Sequence, residues 1–425
     1  MFGKAIKLFL LLIATYLVLG TVAWLVPDWR VAKHVQGALD NGDMAEDYPA
    51  AVIPVAPDSQ DAYTLDNFTD ALILNQCLLL RSEGWRSMLL LPRYEEDIHQ
   101  YVNLRHVVEG DTASGWTVHY PRYWHGSTYL TRILLAFMSF TSLRYLLYVL
   151  STSLLLWCFL RLWKHVSPMV ALAVMFALLS VNVFVMQFSV QFVQVLLLAT
   201  GGMLWLSYHR DPSGKKTALL FLTLGSLTAF LDLLTVPTLT LGLPLLVMVA
   251  QSDGQDMKHG LWTVLKACLW WAGSYVITWA SKWGIATLLT GESVFADAYG
   301  QAAAWQEHGG SYIADAFRAN FGMLHWSYIA VILMVLAVLA VIRYRRGNWN
   351  RVVQYAVILF IPLMFYLLMP HHSQHHSWYC YRGLATTLAA LVMMVGSLVD
   401  WPRIHETTKR LKKRNDARRA THTGD

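Results

Sequence analysis

Apolar runs long enough to cross a lipid bilayer recur along almost the whole chain, and they constrain its fold more than any other feature. A membrane-spanning helix needs about 20 mostly apolar residues. Of the 425 residues, 56% are hydrophobic and only 14% are charged, and the mean hydropathy is +0.40. This composition is typical of a multispanning membrane protein and argues against a large soluble core. We therefore predict an all-α fold with about ten transmembrane helices.

The positive charges between these runs predict which side of the membrane each link occupies. The predicted spans are 5–25, 143–162, 166–186, 192–208, 217–234, 238–250, 261–279, 327–342, 352–369 and 383–399. Lysines and arginines cluster in alternate links, which marks those links as cytoplasmic. They include Lys4 and Lys7 at the start of the first span, Arg343, Arg345 and Arg346 after a later one, and a basic tail at 401–425. We expect one integral membrane domain over 1–400 and both termini in the cytoplasm.

Two long polar segments interrupt the predicted spans on the outer side. We expect a first extracytoplasmic loop at 27–127 with structure of its own, and a second at 281–325. The apolar stretch 128–140 is too short to span and contains Arg132. It is typical of an interfacial or re-entrant helix whose arginine reaches the lipid headgroups.

The four cysteines do not form the pattern of a disulfide framework. Cys158 and Cys268 fall inside predicted spans, whereas Cys77 and Cys380 could both face outward. A bond between Cys77 and Cys380 is conceivable, but sequence spacing alone cannot establish it.

The first outer loop contains two carboxylates four residues apart, Asp66 and Asp70. At the start of a helix this spacing would place both on one face, one turn apart. Two acids at a lipid–water boundary suit either general-base catalysis or a hard cation. The alternative is a capped helix with a solvated first turn, where aspartate is common. A second acidic pair, Glu46 and Asp47, lies closer to the first span.

A basic and aromatic cluster precedes the predicted interfacial helix, at Tyr120-Pro121-Arg122-Tyr123-Trp124-His125-Gly126. Tyrosine and tryptophan are enriched at membrane interfaces in any case, so an aromatic belt is one interpretation. The other is a phosphate-binding site built from Arg122, Tyr123 and His125, because guanidinium groups pair with phosphate in a bidentate way.

Four histidines occur within six positions, at His371-His372-Ser373-Gln374-His375-His376. On a helix, residues four apart could bind a transition metal, although no glutamate completes a His-Glu-x-x-His pattern. Contacts from His375 and His376 to a phosphorylated or sugar ligand are a second interpretation, and a solvated loop is a third. Arg382, where the last span begins, is a candidate for binding an anion or for snorkelling to the interface.

Asp232 lies near the end of a predicted span beside Pro237. A carboxylate there is costly unless it is paired, so Asp232 is a candidate site residue. Lys282, predicted at another outer helix end, could supply its partner. The sequence shows no glycine-rich phosphate loop, nucleophile elbow or Walker pattern, which argues against soluble nucleotide chemistry and gives no reason to expect nucleic acid as a partner.

The predicted topology and the strings around Asp66, Arg122 and Arg382 resemble the multispanning glycosyltransferases of the GT-C class, including uncharacterised bacterial members. The resemblance covers nearly the whole chain as topology, but its motifs are short. It implies a sugar donor linked to polyprenyl phosphate and a glycan, lipid or protein acceptor. Many members place an adjacent acidic pair soon after the first span, which Glu46-Asp47 fits better than Asp66 and Asp70.

The mechanism that this resemblance implies is direct displacement. Asp66 or Asp70 would deprotonate an acceptor hydroxyl, which then attacks the anomeric carbon while the lipid phosphate leaves. Arg122, His125, Lys282 and Arg382 would support the leaving phosphate. No cofactor is required, although a divalent metal could bridge Asp66 to the phosphate.

Two rival functions share parts of this pattern. A transporter or flippase for a lipid-linked substrate would explain the spans, Asp232 and the proline breaks. It would not explain a loop of about a hundred residues directly after the first span, which is long for a simple connection. A membrane acyltransferase that uses the histidines as its base is the third alternative, although its acyl donor would be expected on the cytoplasmic side.

Overall fold

Most of the residues that the structure describes lie in helices. The computed structural model describes residues 2–48, 65–209, 211–252, 256–306, 312–342 and 348–399. The predicted tail at 401–425 and the arginines at 343–346 lie outside these residues. The helices of the first part are α1 (Phe2–Leu25), α2 (Asp28–Asp40), α3 (Asn67–Leu79), α4 (Ser87–Leu90), α5 (Gln100–Glu109), α6 (Gly126–Leu135) and α7 (Phe140–His165).

The second part continues as helices to the end of the described chain. They are α8 (Pro168–Ser180), α9 (Val183–Phe188), α10 (Phe192–Tyr208), α11 (Lys215–Leu231), α12 (Leu239–Gln251), α13 (Met257–Thr290), α14 (Val294–Gln306), α15 (Tyr312–Gly322), α16 (Trp326–Ile342), α17 (Trp349–Leu368), α18 (Pro370–His375), α19 (Ser377–Cys380) and α20 (Leu384–Gly396). Short 3-10 turns at Gly84–Arg86 and Tyr381–Gly383 precede α4 and α20, respectively.

Four stretches of the described helices are long and apolar enough to cross a membrane: Phe2–Leu25, Phe140–His165, Trp349–Leu368 and Ser377–Gly396. Shorter apolar helices at Pro168–Ser180, Phe192–Tyr208 and Leu239–Gln251 pack among them. The prediction of an all-α membrane protein is therefore confirmed at this level. The exposed side chains of α1, such as Leu10, Leu11 and Val18, are apolar, as expected for a helix that faces lipid.

The main core lies among the helices of the second half. Helix α11 packs along α13, α17 along α20, and α10 along α12. At Gly225 in α11, an added Cβ would overlap the carbonyl oxygen of Trp271 in α13. The absence of a side chain therefore allows the two backbones to approach closely.

The segment predicted as a structured first outer loop has structure of its own. Helices α2, α3 and α5 pack around a small core that includes Val31, Val35, Ile73 and Leu104. Strands β1 (Pro92–Glu95) and β2 (Trp116–His119) pair antiparallel, with Pro92 opposite His119 and Glu95 opposite Trp116.

Arg132 does not reach the lipid headgroups, so that prediction was wrong. Its side chain is fully buried, and its guanidinium donates to the carbonyl oxygens of Ala23, Val26 and Cys77. It also pairs with the Asp28 carboxylate at 2.5 Å. Arg132 thus binds carbonyls near the C-terminal ends of α1 and α3, which lack intrahelical donors.

Two predicted helix boundaries differ from the structure. The segment 166–186 forms two helices, α8 and α9, because Asn182 adopts a left-handed conformation with φ 56°, which asparagine tolerates better than most residues. The predicted span 261–279 continues as α13 to Thr290, so Lys282 lies inside a helix and the predicted loop at 281–325 begins as helix.

All four cysteines are free thiols, so Cys77 and Cys380 do not pair with each other. Cys77 is buried, and its Sγ lies 3.5 Å from the carbonyl oxygen of Thr128.

Candidate functional site

Asp66 is the N-cap of α3, and it is almost fully buried. Its Oδ1 accepts a 3.0 Å hydrogen bond from the Thr69 backbone N–H, and its Oδ2 accepts a 2.8 Å bond from the Thr69 hydroxyl. The side chain is only 2% exposed, so the alternative of a solvated first turn was wrong even though Asp66 does cap the helix.

The environment of Asp66 raises its pKa from 3.8 to about 6. Burial is the main cause, because it disfavours the charged carboxylate. The nearby negative charge of Asp70 adds to the rise in pKa, whereas the hydrogen bonds from Thr69 and the positive charge of Arg382 oppose it. Asp66 and Arg382 are therefore close enough to interact electrostatically.

Asp70, the second predicted acid, is held by a set of donors. It accepts bonds from Arg144 at 2.8 Å, the Ser189 hydroxyl at 3.1 Å and the Val190 backbone N–H at 3.1 Å. Burial raises its pKa, and the ion pair with Arg144 opposes this rise. Asp70 thus joins α3 to α7 and to the start of α10, and its oxygens are already occupied.

Arg382 lies in the 3-10 turn before α20 and is 1% exposed. Its Nη1 donates to the Trp378 carbonyl at 2.6 Å, and its guanidinium lies over the rings of Phe192 and Tyr381. The Nε atom has no hydrogen-bond partner, and no ion pair with Arg382 is present in the described chain. It is therefore a buried cation with donor capacity left for an anion.

Asp232 is buried at the break between α11 and α12. Its Oδ1 accepts bonds from the backbone N–H and hydroxyl of Thr235 and a longer one from Gln191 at 3.4 Å. Its Oδ2 has no partner. The Asp232 charge also acts on Tyr123 and Tyr275, so Asp232 and Tyr123 lie within electrostatic range of each other.

Lys282 does not pair with Asp232. It is fully buried inside α13, and its ammonium group donates to the Leu89 carbonyl at 2.6 Å. The hypothesis that Lys282 supplies the partner of Asp232 was therefore wrong, because the helix continues beyond the predicted end and points the lysine at α4.

Arg122 and His125 already have other partners. Arg122 forms an ion pair with Asp297, in which Nη1 donates to both carboxylate oxygens, at 2.9 and 3.1 Å. His125 is fully buried, with Nε2 at 2.8 Å from the Tyr120 carbonyl. Burial and the nearby charge of Lys282 hold its pKa well below the usual value. His125 is therefore neutral at pH 7 and offers no charge to a phosphate.

The histidine run forms helix α18 and the turn after it, with Pro370 at the first helical position. His375 stacks on His371 at 4.1 Å, and His376 stacks on Tyr379 at 5.1 Å. Burial and the neighbouring histidines lower the pKa of His376 to about 3, so it is neutral. No cluster of three or more metal-ligating side chains occurs in the described residues.

The competing acidic pair, Glu46 and Asp47, consists of one exposed and one buried residue. Asp47 is buried and accepts a 2.6 Å bond from the Tyr101 N–H, with His99 Nδ1 at 3.2 Å. Glu46 is exposed. The Asp47 carbonyl accepts from the Asn67 N–H at 2.7 Å, which brings this pair beside the start of α3.

An apolar groove of about 240 Å³ opens between helices of the structure. Its lining comes from α6, α7, α10 and the end of α11: Leu130, Thr131, Leu134, Leu143, Leu147, Val190, Gln194, Leu197, Leu198 and Leu231. Val190 donates its N–H to Asp70, and Leu231 directly precedes Asp232. Two residues of the groove wall are therefore adjacent to the buried carboxylates of Asp70 and Asp232.

Comparison of the chain with protein-family models, with curated proteins and with solved structures gave no match. Function must therefore be inferred from the geometry and chemistry of the described residues.

The structure brings Asp66, Arg382, Tyr123 and Asp232 into one buried polar region, and it gives Asp70, His125 and Lys282 structural partners. Sequence reasoning missed Arg144, which neutralises Asp70 and also donates to the Asn67 side chain at 2.6 Å. A single arginine at the start of an apolar run was the available signal, since such residues are usually paired.

Proposed function

We propose that this protein is an integral membrane glycosyltransferase that moves a sugar from a polyprenyl-phosphate donor to a cell-envelope acceptor. The proposal includes about ten spans in a GT-C-like arrangement, a bacterial inner-membrane location and an active site on the extracytoplasmic side. The observation that supports the proposal best is the position of Asp66 relative to Arg382. Asp66 is a buried carboxylate with a pKa of about 6, and it lies within electrostatic range of Arg382, a buried cation.

Asp66 has the properties of a general base. A base works best when its pKa lies close to the working pH, because it is then both ionised and able to accept a proton. At pH 7 a group with a pKa of about 6 is mostly ionised. Asp70 is less suited, because it forms an ion pair with Arg144 and also accepts bonds from Ser189 and Val190. Among the residues that the structure describes, Asp66 accepts bonds only from Thr69, in its own helix.

Arg382 has the properties of a phosphate ligand. Its Nε is free of protein partners, and aromatic rings flank the guanidinium. A cation placed where negative charge develops on the leaving group stabilises the transition state. A divalent metal at Asp66 would add to this stabilisation, but the mechanism proposed here does not require one.

The apolar groove suits the lipid part of the donor. It is open to the surface and is lined almost entirely by aliphatic side chains. Two of its wall residues, Val190 and Leu231, adjoin Asp70 and Asp232, respectively. A polyprenyl chain in this groove would bring its phosphate to the buried polar region.

In the proposed step, Asp66 takes the proton of an acceptor hydroxyl while the oxygen attacks the anomeric carbon of the donor sugar. The bond from that carbon to the phosphate oxygen breaks, and its electron pair leaves with the polyprenyl phosphate. Arg382 stabilises the charge on the departing phosphate.

The proposal is tested by replacing Asp66 with Asn in the chromosomal copy and analysing the envelope glycans. We expect the dependent glycan to disappear. The matched control is Asp315→Asn, which changes a surface aspartate paired with Arg318 and should leave the glycan unchanged. Wild-type glycan composition in the Asp66→Asn strain would rule out the proposed base.

Asp232 favours one alternative, a transporter or flippase. A buried carboxylate with an unpaired oxygen at a break between apolar helices is typical of substrate sites in transporters. Under this alternative, Asp232→Asn would abolish movement of a lipid-linked substrate across proteoliposomes, and Asp66→Asn would leave it intact.

A further inference from the structure

Three aromatic side chains and one histidine meet beside the start of α3. Tyr48 stacks on Phe68 with ring centroids 6.1 Å apart, and it meets Trp378 edge-on at 5.7 Å. His376 lies edge-on to Trp378 at 5.0 Å. We call Tyr48, Phe68, Trp378 and His376 the aromatic corner.

The aromatic corner is partly open to solvent. Tyr48 is 42% exposed, and the other three side chains are half-buried. Rings that only fill a core would be closed off on all sides. This arrangement instead presents ring surface at the boundary of the protein.

Three buried polar atoms in the corner or in the residue two positions before His376 have no hydrogen-bond partner. They are Nε1 of Trp378, Nδ1 of His376 and Oε1 of the neighbouring Gln374. Each buried atom of this kind costs about 1–3 kcal/mol unless it is satisfied by water or a ligand. The corner thus combines apolar faces with a free donor, a free acceptor and an imidazole nitrogen.

The aromatic corner adjoins the proposed base and phosphate ligand. Phe68 follows Asp66 by two residues in the first turn of α3, and the Trp378 carbonyl accepts the 2.6 Å bond from Arg382. Tyr379, next to Trp378, lies within electrostatic range of Asp66.

We infer that the aromatic corner is a saccharide subsite and that the acceptor of the proposed transfer is a glycan. Sugar rings have apolar C–H faces, which pack against aromatic rings, and hydroxyl edges, which can pair with Trp378, His376 and Gln374. A lipid tail would leave these polar atoms unpaired. This inference rests on the proposed function and narrows its acceptor.

In this assignment, the acceptor sugar stacks on the corner with one hydroxyl directed at Asp66. That hydroxyl loses its proton to Asp66 and forms the new bond to the anomeric carbon of the donor. The bond between that carbon and the phosphate breaks, and the phosphate departs beside Arg382.

The test is a binding measurement on the full-length protein in a detergent without sugar groups. Saturation-transfer NMR would screen methyl glycosides of hexoses and N-acetylhexosamines and their linear trisaccharides. The variants are Trp378→Leu and the more exposed Tyr48→Ala, which is the less demanding change for folding. The matched control is Trp157→Leu, which removes a half-exposed tryptophan from the lipid-facing side of α7.

We expect at least one saccharide to bind the wild type and Trp157→Leu equally. Trp378→Leu and Tyr48→Ala should each weaken its apparent affinity about tenfold, as expected for loss of an aromatic contact. No binding to the wild type, or equal binding to both corner variants, would overturn the inference.

Transfer assays separate this inference from the proposed function. If Asp66→Asn abolishes transfer but the corner variants bind and transfer normally, the subsite is wrong and the glycosyltransferase stands. If the corner variants lose saccharide binding while Asp66→Asn keeps a normal envelope glycan, the subsite stands and the proposed base is wrong.

Discussion

Arg144 donates a 2.8 Å hydrogen bond to Oδ2 of Asp70, and both side chains are buried. The pair joins the first turn of α3 to the first turn of α7, 74 residues later. It fixes the position of Asp66, which caps the same helix, and it leaves Asp66 as the acid available for chemistry.

Replacing either member of this pair should destabilise the fold. Removing one partner leaves a buried charge without compensation, which costs about 3–5 kcal/mol. We expect Asp70→Asn and Arg144→Met each to lower the unfolding temperature strongly. The double variant should lose less than the sum of the two single losses, because neither charge is then left alone. Additive losses in thermal unfolding would show that the two groups do not interact.

Asp66 should make stability depend on pH in the direction opposite to a salt-bridged acid. Its pKa in the folded protein is about 6 and its ordinary value is 3.8, so the folded state holds the proton more tightly. The contribution of Asp66 to the free energy of unfolding is therefore most favourable at low pH, and it falls as the pH rises from about 4 to about 6.

Asp66→Asn removes this penalty and keeps the cap, so it should stabilise the protein at pH 7.5 by on the order of 3 kcal/mol. At pH 4 the variant and the wild type should unfold alike. Thermal unfolding across this pH range measures the difference, and a destabilised Asp66→Asn at pH 7.5 would contradict the account.

His119 bridges two segments far apart in the chain. Its Nε2 lies 3.0 Å from the Glu83 carboxylate, and its Nδ1 lies 2.9 Å from Glu292, which also pairs with Arg86. Burial lowers the pKa of His119, but the hydrogen bonds and charges of Glu83 and Glu292 outweigh burial and raise it.

Because the folded pKa is raised, this stabilisation is complete below about pH 6.5 and is lost as the pH rises through the folded pKa. Glu83→Gln and His119→Gln should lower the unfolding temperature by a few degrees at pH 6 and have little effect at pH 9. Equal effects at both pH values would exclude a charged His119.

Arg132 should be among the most sensitive positions for stability. It donates to the backbone carbonyls of three buried residues and to the carboxylate of Asp28, which is 50% exposed. Arg132→Met leaves those carbonyls without donors and should cost about 3 kcal/mol or more. Arg81→Met is the matched control, because Arg81 also approaches Asp28 but is 39% exposed and should cost little. Similar losses for both variants in thermal unfolding would contradict this assignment.

The sequence predicted an all-α membrane protein because its apolar runs are long, and long apolar runs are typical of helices rather than strands. The break at Asn182 was not predicted, since a left-handed residue depends on local packing. The extension of α13 was also missed, because burial of Lys282 against Leu89 cannot be seen in an isolated segment.

The sequence identifies candidate site residues but not their contacts. Asp66 is predicted from its spacing to Asp70, whereas Asp232 and Arg382 are predicted from their positions near span ends, where a charge is costly unless it is paired. The pairing of Asp70 with Arg144 and the neutral state of His125 depend on contacts between distant segments, which a single sequence does not reveal.

The most direct test is transfer of a radiolabelled sugar from a polyprenyl-phosphate donor pool by the purified protein in liposomes. We expect Asp66→Asn to lower the transfer rate by about 10²- to 10⁴-fold, the usual contribution of a general base. Its unfolding temperature at pH 7.5 should stay at or above that of the wild type. Transfer by Asp66→Asn at the wild-type rate would show that Asp66 is not the general base.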